Sequence, residues 1–151
     1  MANPTTIKPL NRDEEAFLRA LGRVITQLPR VVDADMLKDQ SITSGEYMVL
    51  VYLSEAPDNQ LRMSELAHAC GLSLSGMTRV VNRLETRSLV LRQKCPEDGR
   101  AWLVVLTSSG WTQLKQAWPT NLASVRRHIF SRLEGCDIPA ATQVLERIAL
   151  D

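Results

Sequence analysis

Residues 61–110 constrain the fold of this chain more than any other stretch, because they pass from helical to strand periodicity in a fixed order. The apolar residues of 66–70 recur at helical spacing and predict a short first helix. Ser64 is its predicted N-cap. Gly71 follows it and readily takes the positive φ that ends a helix. Ser73 is predicted to cap a second helix. A short turn with glycine between two helices is typical of a helix-turn-helix, and also of an ordinary helical hairpin. The second helix has an apolar stripe at i, i+3, i+4 and i+7, made of Met77, Val80, Val81 and Leu84.

Two β-rich runs follow these helices, Leu89 to Lys94 and Ala101 to Leu106. The segment between them contains Asp98-Gly99, and Asp-Gly between two strands is a strong hairpin signal because glycine takes the positive φ of the turn. The order helix, turn, helix and hairpin predicts a fold that is mainly α with a small β-hairpin wing, a winged helix-turn-helix within a helical scaffold.

The second helix has a polar face opposite its apolar stripe, and this face carries no carboxylate before Glu85. Arginine can read guanine with two hydrogen bonds, asparagine can read adenine, and the N-terminal end of such a helix enters the major groove. A face that is only solvated usually mixes both signs of charge, so this one favours DNA. The contacts predicted for the two helices and their caps are Ser64, Ser73, Ser75, Gly76, Thr78, Arg79, Asn82 and Arg83.

The hairpin adds further cations. Arg92 and Lys94 are two residues apart and share one face of the first strand. Arg100 lies at the tip, where a guanidinium suits the narrow and negative minor groove, and Asp98 is expected to pair with it. A surface hairpin with ordinary turn chemistry also accounts for Asp98 and Gly99. We predict Arg92, Lys94, Asp98 and Arg100 as the wing residues of a DNA site.

Five pieces of this stretch stand in the register of one known family: Ser64-Glu65-Leu66-Ala67, Thr78-Arg79-Val80-Val81-Asn82-Arg83-Leu84-Glu85, Leu89-Val90 with Arg92, Asp98-Gly99-Arg100, and Leu106-Thr107 with Gly110. Together they resemble the multiple antibiotic resistance regulator (MarR) family of bacterial transcription factors. Two positions depart from the family pattern. Ser88 replaces a glycine after the recognition helix, so we expect this helix to end differently, and Gly99 replaces a second wing cation.

The resemblance implies a homodimeric repressor of a palindromic operator that a small aromatic or phenolic effector releases from double-stranded DNA. It implies one domain over residues 1–151, with residues 1–40 and 111–151 as the helical dimerisation region and residues 41–110 as the winged helix-turn-helix. Sequence alone would also allow a monomeric bundle. The candidates for bordering an effector cleft are Tyr47, His68 and Trp111, each of which is also explained as a packing residue.

The flanking segments have helical patterns with recognisable starts. Asn11 with Glu14, and Thr43 with Glu46, are two predicted capping boxes. The first helix is expected to run to about Leu37. The second is expected to stop before the next proline.

Prolines are expected to disturb two of these helices. Pro29 should kink or restart the first one. Thr107 is predicted to cap a long helix that bends after Trp118, because Pro119 follows it. A last helix is predicted to start at Asp137.

Composition limits the class of protein. The chain has 151 residues and a net charge of +1, whereas residues 61–107 hold seven cations and four anions, or +3. We find no membrane-spanning run, no signal-peptide pattern and no disulfide framework, so a cytoplasmic location, on the nucleoid when bound to DNA, is expected. No hydrolase motif, phosphate-binding glycine loop or histidine pair indicates an enzyme, a metal site or a cofactor.

Two alternatives stay open from the sequence. Cys95 is the thiol expected to be exposed, and a redox-responsive regulator acting through it would need a lowered thiol pKa. A winged helix can also serve protein–protein contact. The arginine-bearing face of the second helix argues against that second alternative.

Overall fold

The computed structural model describes residues 7–96, 99 and 101–149. These residues form a mainly helical protein with one small sheet, which confirms the predicted winged helix-turn-helix. Short 3-10 turns lie at Pro57–Asn59 and Phe130–Arg132. The elements in chain order are α1 (Arg12–Gln40), α2 (Ser44–Glu55), β1 (Gln60–Arg62), α3 (Met63–Ala69), α4 (Leu74–Thr86), β2 (Val90–Lys94), β3 (Trp102–Leu106), α5 (Ser108–His128) and α6 (Ile138–Ile148).

The sheet is antiparallel and has the order β1-β3-β2. The predicted hairpin is confirmed, with Val90 opposite Leu106 and Lys94 opposite Trp102. Strand β1, which places Leu61 opposite Val104, was missed by sequence analysis. A strand of three residues is too short for its alternation of apolar and polar side chains to be recognised.

Most helices begin where their capping residues predict. At α4 the Ser73 hydroxyl accepts a hydrogen bond from the N–H of Gly76 at 3.1 Å. The predicted cap of α3 is wrong: Ser64 lies inside the first turn, and Arg62 is the N-cap, with its N–H donated to Glu65 Oε2 at 3.0 Å. The reason is that β1 runs directly into α3. The other predicted caps are confirmed at Asn11, Thr43, Thr107 and Asp137.

Neither internal proline divides its helix. Helix α1 continues through Pro29 to Gln40, beyond the predicted end at Leu37, so the expected restart is wrong. Helix α5 likewise continues through Pro119; the bend expected after Trp118 stays a prediction. A proline removes one intrahelical hydrogen bond. We attribute the continuity of α1 and α5 to their extensive packing against each other, since tertiary packing supplies most helix stability in proteins.

The core lies where α1, α2 and α5 meet the winged module. It is formed by residues such as Met36, Leu50, Leu66, Leu84 and Val104, all with no solvent exposure. In the described part of the chain, no helix is both long and apolar enough to cross a membrane. The N-terminal half of α1 and the apolar face of α6 lie outside this core and remain exposed.

Candidate nucleic-acid interface

Helix α4 is strongly amphipathic, as predicted. Met77, Val81 and Leu84 are fully buried, and they fix the helix on the core with its other face outward. The polar residues predicted for DNA are therefore on one accessible side of the module. The exposed members are Ser73, Ser75, Arg79, Asn82 and Arg83, and Gly76 and Thr78 are partly exposed.

The turns at the ends of α3 and α4 have the same geometry. Gly71 has a φ of +62°, and the N–H of Leu72 donates to Ala67 O at 2.9 Å. Ser88 has a φ of +58°, and the N–H of Leu89 donates back into the last turn of α4 at 3.0 Å. Both are left-handed helix ends of the Schellman type. The expectation that α4 would end differently with serine in place of glycine is wrong.

Arg83 forms an ion pair with α2. Its Nε donates to Glu46 Oε1 at 2.7 Å, and the Glu46 side chain is only 8% exposed. The other oxygen of Glu46 accepts the N–H of Thr43 at 2.8 Å, which closes the capping box of α2. One guanidinium thus compensates a nearly buried carboxylate at the start of the neighbouring helix.

Arg92 in β2 binds the single carboxylate of α4. Its Nε and Nη2 donate to Glu85 Oε2 at 2.9 and 2.6 Å, and its backbone N–H donates to Oε1 at 3.1 Å. The hydrogen bonds from the Arg92 side chain lower the pKa of Glu85 below its ordinary value. The wing is therefore fixed to the recognition helix by a multidentate ion pair.

Arg87, at the C-cap of α4, was not among the predicted site residues. Its Nη1 donates to Ser41 O at 2.7 Å, and its Nη2 donates to Gln113 Oε1 at 3.3 Å. Gln113 Nε2 in turn donates to Gln40 O at 3.3 Å. The partners of Arg87 lie 46 and 26 residues away in sequence, and no local sequence pattern predicts contacts over such separations.

The remaining predicted contacts are held less firmly. Within the described residues, the side chain of Arg79 forms no hydrogen bond or ion pair. The hydroxyl of Thr78 donates to a carbonyl of its own helix at 2.8 Å. Lys94 Nζ lies 5.9 Å from the centroid of the Trp102 ring, within range of a cation–π contact. Asp98 and Arg100 lie outside the described residues.

A cleft of about 680 Å³ separates the N-terminal half of α4 from the wing. Ser64 and Thr78 line it from the helix-turn-helix, and Arg92 and Trp102 line it from the wing. Trp102 is 46% exposed and was not predicted as a site residue. Its signal in the sequence was a large aromatic residue two positions after Arg100, the predicted wing cation.

The Leu-Thr-x-x-Gly sequence of residues 106–110 has a structural role where the chain leaves α4. The Thr107 hydroxyl accepts the N–H of Gly110 at 3.0 Å and donates to Ser88 O at 2.7 Å. A Cβ added to Gly110 would lie 2.1 Å from Leu89 O. Only glycine therefore allows α5 to approach the chain that leaves the recognition helix.

The three aromatic candidates for an effector site are not brought together. Tyr47 is buried and lines a groove of about 380 Å³ between α2 and α5; burial raises its pKa. Trp111 does not line this groove, although Lys115 Nζ lies 5.8 Å from its ring centroid. His68 is exposed on α3 and lies elsewhere. The other groove residues are Val51, Ser54, Glu55, Leu114, Lys115 and Trp118.

The exposure predicted for Cys95 is wrong. Cys95 is buried, with its N–H donated to Ala101 O at 2.9 Å across the base of the wing. Cys136 is the exposed thiol among the three, and burial raises the pKa of Cys70. A buried thiol is poorly accessible to oxidants.

Residues 40–101 match the model of the MarR family. AbsC, a MarR-family transcriptional regulator from Streptomyces coelicolor, is 32% identical to this chain, and the match covers 94% of this chain and 95% of AbsC with a TM-score of 0.85. The chain belongs to the MarR family. The family and these relatives are transcriptional regulators rather than enzymes, as predicted.

Two further relatives extend the comparison. The MarR-family regulator Sco3205 from Streptomyces coelicolor, solved in complex with DNA, has a TM-score of 0.89 and 28% identity, covering 95% of this MarR-family chain and 90% of that one. The transcriptional repressor MprA of Escherichia coli is 32% identical over 84 residues, which are 56% of this chain and 48% of MprA. The chain thus spans about half the length of the curated relatives it matches.

Proposed function

We propose that this protein is a transcriptional repressor that binds a palindromic operator in double-stranded DNA as a homodimer. The observation that carries the proposal is the outer face of α4, where Arg79 is exposed and unpaired among the described residues and the only carboxylate of the helix, Glu85, is bound by Arg92. Because the one carboxylate of this helix is paired, the face presents no free negative charge that would repel a phosphate. Sco3205, solved with DNA, supports the same use of this fold.

The proposed contacts fall into three groups. Residues near the start of α4 face outward and would read bases in the major groove: Ser75, Gly76, Thr78, Arg79 and Asn82. Three exposed residues would bind phosphates, and the first of them also lines the cleft: Ser64, Ser73 and Lys94. Arg100 is proposed for the minor groove, with Asp98 as the partner that holds it; both lie outside the described residues, so this rests on the sequence pattern alone.

Exposed apolar side chains support the homodimer. On α1, Phe17 is 51% exposed and Ile25 is 63% exposed; on α6, Leu145 is 58% exposed. Contiguous apolar surface on a protein of this size is typical of an interface. We infer that residues 1–40 and 111–151 form the dimerisation region, with residues 41–110 as the DNA-binding region of the one domain 1–151. A two-fold dimer presents two recognition helices about one helical turn of DNA apart, roughly 34 Å.

Repression is inferred from the curated relative MprA, which is a transcriptional repressor. A dimer that covers a promoter excludes the polymerase from it. We infer that a regulator with this role acts in the cytoplasm. The affinity should fall steeply with salt concentration, because arginine and lysine displace condensed counterions from phosphates.

A small aromatic acid is the effector that best fits the groove between α2 and α5. The groove has about 380 Å³, within the range of small-molecule sites, and Tyr47 and Trp118 provide aromatic walls. Lys115 offers an ammonium for a carboxylate, whereas Glu55 on the opposite helix would disfavour a second one. His68 and Trp111 are not part of this proposal.

The test of DNA binding is fluorescence anisotropy on the upstream intergenic DNA, with non-specific competitor and a salt series. Operator-like DNA should bind tightly and resist the competitor. Arg79→Ala should weaken binding by about tenfold or more, since a base contact of this kind contributes about 1–3 kcal/mol. Arg126→Ala is the matched control for the loss of one cation, because Arg126 is exposed in the last turn of α5, outside the proposed DNA-binding region 41–110.

Equal and weak binding to every duplex would direct the search to random DNA. If selection from random duplexes then enriched no sequence, the proposed function would be wrong. The effector is tested on the bound complex with benzoate and salicylate as probes. Release that Lys115→Met abolishes, without change in the operator affinity itself, supports the groove, and release that Lys115→Met leaves intact contradicts it.

A further inference from the structure

The C-terminal half of the recognition helix is fixed on three sides by arginine side chains. Arg83 reaches α2, Arg92 reaches α4 from the wing, and Arg87 reaches the junction of α1 and α5. The shortest bond in each set is 2.6 to 2.7 Å, the length of a charge-assisted hydrogen bond. The N-terminal half of α4, by contrast, carries Arg79 without such a partner among the described residues.

The partners of Arg87 explain why a cation is needed there. Helix α1 ends at Ser41, whose φ is +57°, and the last carbonyl groups of a helix lack partners within it. Arg87 donates to the carbonyl of Ser41, and Gln113 donates to that of Gln40. The C-terminal end of a helix also carries partial negative charge, which favours a guanidinium.

The same network continues into α5. Gln40 Nε2 donates to the Thr120 hydroxyl at 2.8 Å, and Gln113 belongs to α5 as well. Arg87 therefore connects the end of the recognition helix to both helices of the proposed dimerisation region. A guanidinium whose donors are directed at a carbonyl and an amide oxygen is poorly placed to neutralise a phosphate at the same time.

We propose that Arg83, Arg87 and Arg92 are positioning residues, which hold α4 on its neighbours instead of contacting DNA. Arg83 joins α4 to α2, Arg92 joins it to the wing, and Arg87 joins it to the dimerisation helices α1 and α5. Arg87 is the central member, because the separation of two recognition helices in a dimer depends on how each α4 is joined to α1 and α5. This inference rests on the proposed DNA binding. It reassigns Arg83 and Arg92, which the sequence pattern predicted as contacts.

The test separates positioning from phosphate contact by salt dependence. Arg87→Ala should weaken operator binding by about tenfold while the slope of log K against log[salt] stays that of the wild type. Its affinity for random duplex should stay within about twofold of the wild type, since non-specific binding is electrostatic. A lost phosphate contact would instead make this negative slope shallower by about 0.9 for each contact and weaken binding to both kinds of DNA.

Two matched variants sharpen the result. Arg87→Lys keeps the charge but loses the planar fork, so positioning predicts that lysine does not restore operator affinity, whereas a phosphate contact predicts that it largely does. Gln113→Ala changes no charge and removes one partner of Arg87. We expect it to weaken operator binding with an unchanged slope, and to be non-additive with Arg87→Ala. All affinities are corrected for the folded fraction measured by circular dichroism.

A second readout needs no DNA. In Arg87→Ala, amide hydrogen exchange should accelerate at Ser41 and Ile42 and at Ser88 and Leu89, with little change in α6. A reduced salt slope in Arg87→Ala, an unchanged operator affinity, or unchanged exchange at these amides would each overturn the proposal. Failure of the wild-type protein to select any DNA sequence would overturn the proposed function instead, and accelerated exchange would still show that Arg87 ties α4 to α1.

Discussion

Arg92 in the wing binds the only carboxylate of the recognition helix, Glu85, through two side-chain hydrogen bonds and its backbone N–H. This pair has two consequences. It removes the single negative charge that α4 would present to DNA, and it fixes the inner face of the hairpin on the helix. The charge of the proposed DNA-binding face and the packing of the wing therefore depend on one ion pair.

The Glu85–Arg92 pair should contribute to stability in a pH-dependent way. The pKa of Glu85 in the folded protein lies below its ordinary value of 4.5 because of the hydrogen bonds from Arg92. The contribution is therefore fully present above about pH 4.5 and is lost as the pH falls through the folded pKa. We expect the free energy of unfolding of Glu85→Gln to fall less than that of the wild type as the pH is lowered below about 4.5.

Urea unfolding at several pH values measures this difference. Both proteins should remain partly sensitive to acid, because the pKa of Asp35 is also lowered. The largest cause is the hydrogen bond from the Ser124 hydroxyl. Glu134→Gln is the control, since Glu134 is exposed and has no ion pair among the described residues. Identical pH profiles for Glu85→Gln and the wild type would contradict the prediction.

Ser88→Gly should stabilise the protein by about 1 kcal/mol, because a left-handed backbone costs a residue with a Cβ about 1–2 kcal/mol and glycine almost nothing. Ser88 has a φ of +58°. Part of the gain is offset by the greater freedom of glycine in the unfolded chain. Chemical denaturation measures the change. Ser109→Gly, at an exposed helical position of α5, is the matched control and should destabilise the protein; destabilisation by both changes would refute the argument.

Gly110→Ala should destabilise the protein by about 1–3 kcal/mol, the usual cost of overpacking. The new methyl group would meet Leu89 O at 2.1 Å and Leu106 Cδ1 at 2.6 Å, and backbone cannot yield as a flexible side chain does. Gly45→Ala is the control, because the nearest atom to its added Cβ is at 3.8 Å. Equal melting temperatures for the two variants would show that α5 can move away from Leu89 without cost.

The local features of this fold were predictable because each depends on residues close in sequence. The capping box of Asn11 and Glu14 and the positive φ of Gly71 are examples. Contacts across the fold were not predictable. Arg83 lies 37 residues from Glu46, and nothing near Arg83 distinguishes an arginine that binds a carboxylate from one that faces a phosphate.

The wing also combines features that the sequence predicted with features that depend on contacts across the fold. The two strands of the hairpin were readable from the sequence, and their pairing is confirmed. The burial of Cys95 was not readable, because it depends on how the base of the hairpin packs, and the position before a proline in a turn suggested exposure. Strand β1 likewise exists only because β3 offers a free edge for Gln60–Arg62.

The apolar face of α6 gives the last prediction. Val144, Leu145 and Ile148 lie on one face, each more than 40% exposed, and α6 has no buried residue in the described chain. If this face is covered by a second copy, Leu145→Glu buries a charge without a partner in the interface and should convert the dimer to a monomer. Sedimentation equilibrium measures the change, and operator affinity should fall with it because one recognition helix contacts only half a palindrome.

Gln143→Glu introduces the same charge at a residue outside this apolar set and should leave the dimer intact. A wild-type protein that sediments as a monomer, or a Leu145→Glu variant that still dimerises, would remove α6 from the proposed interface.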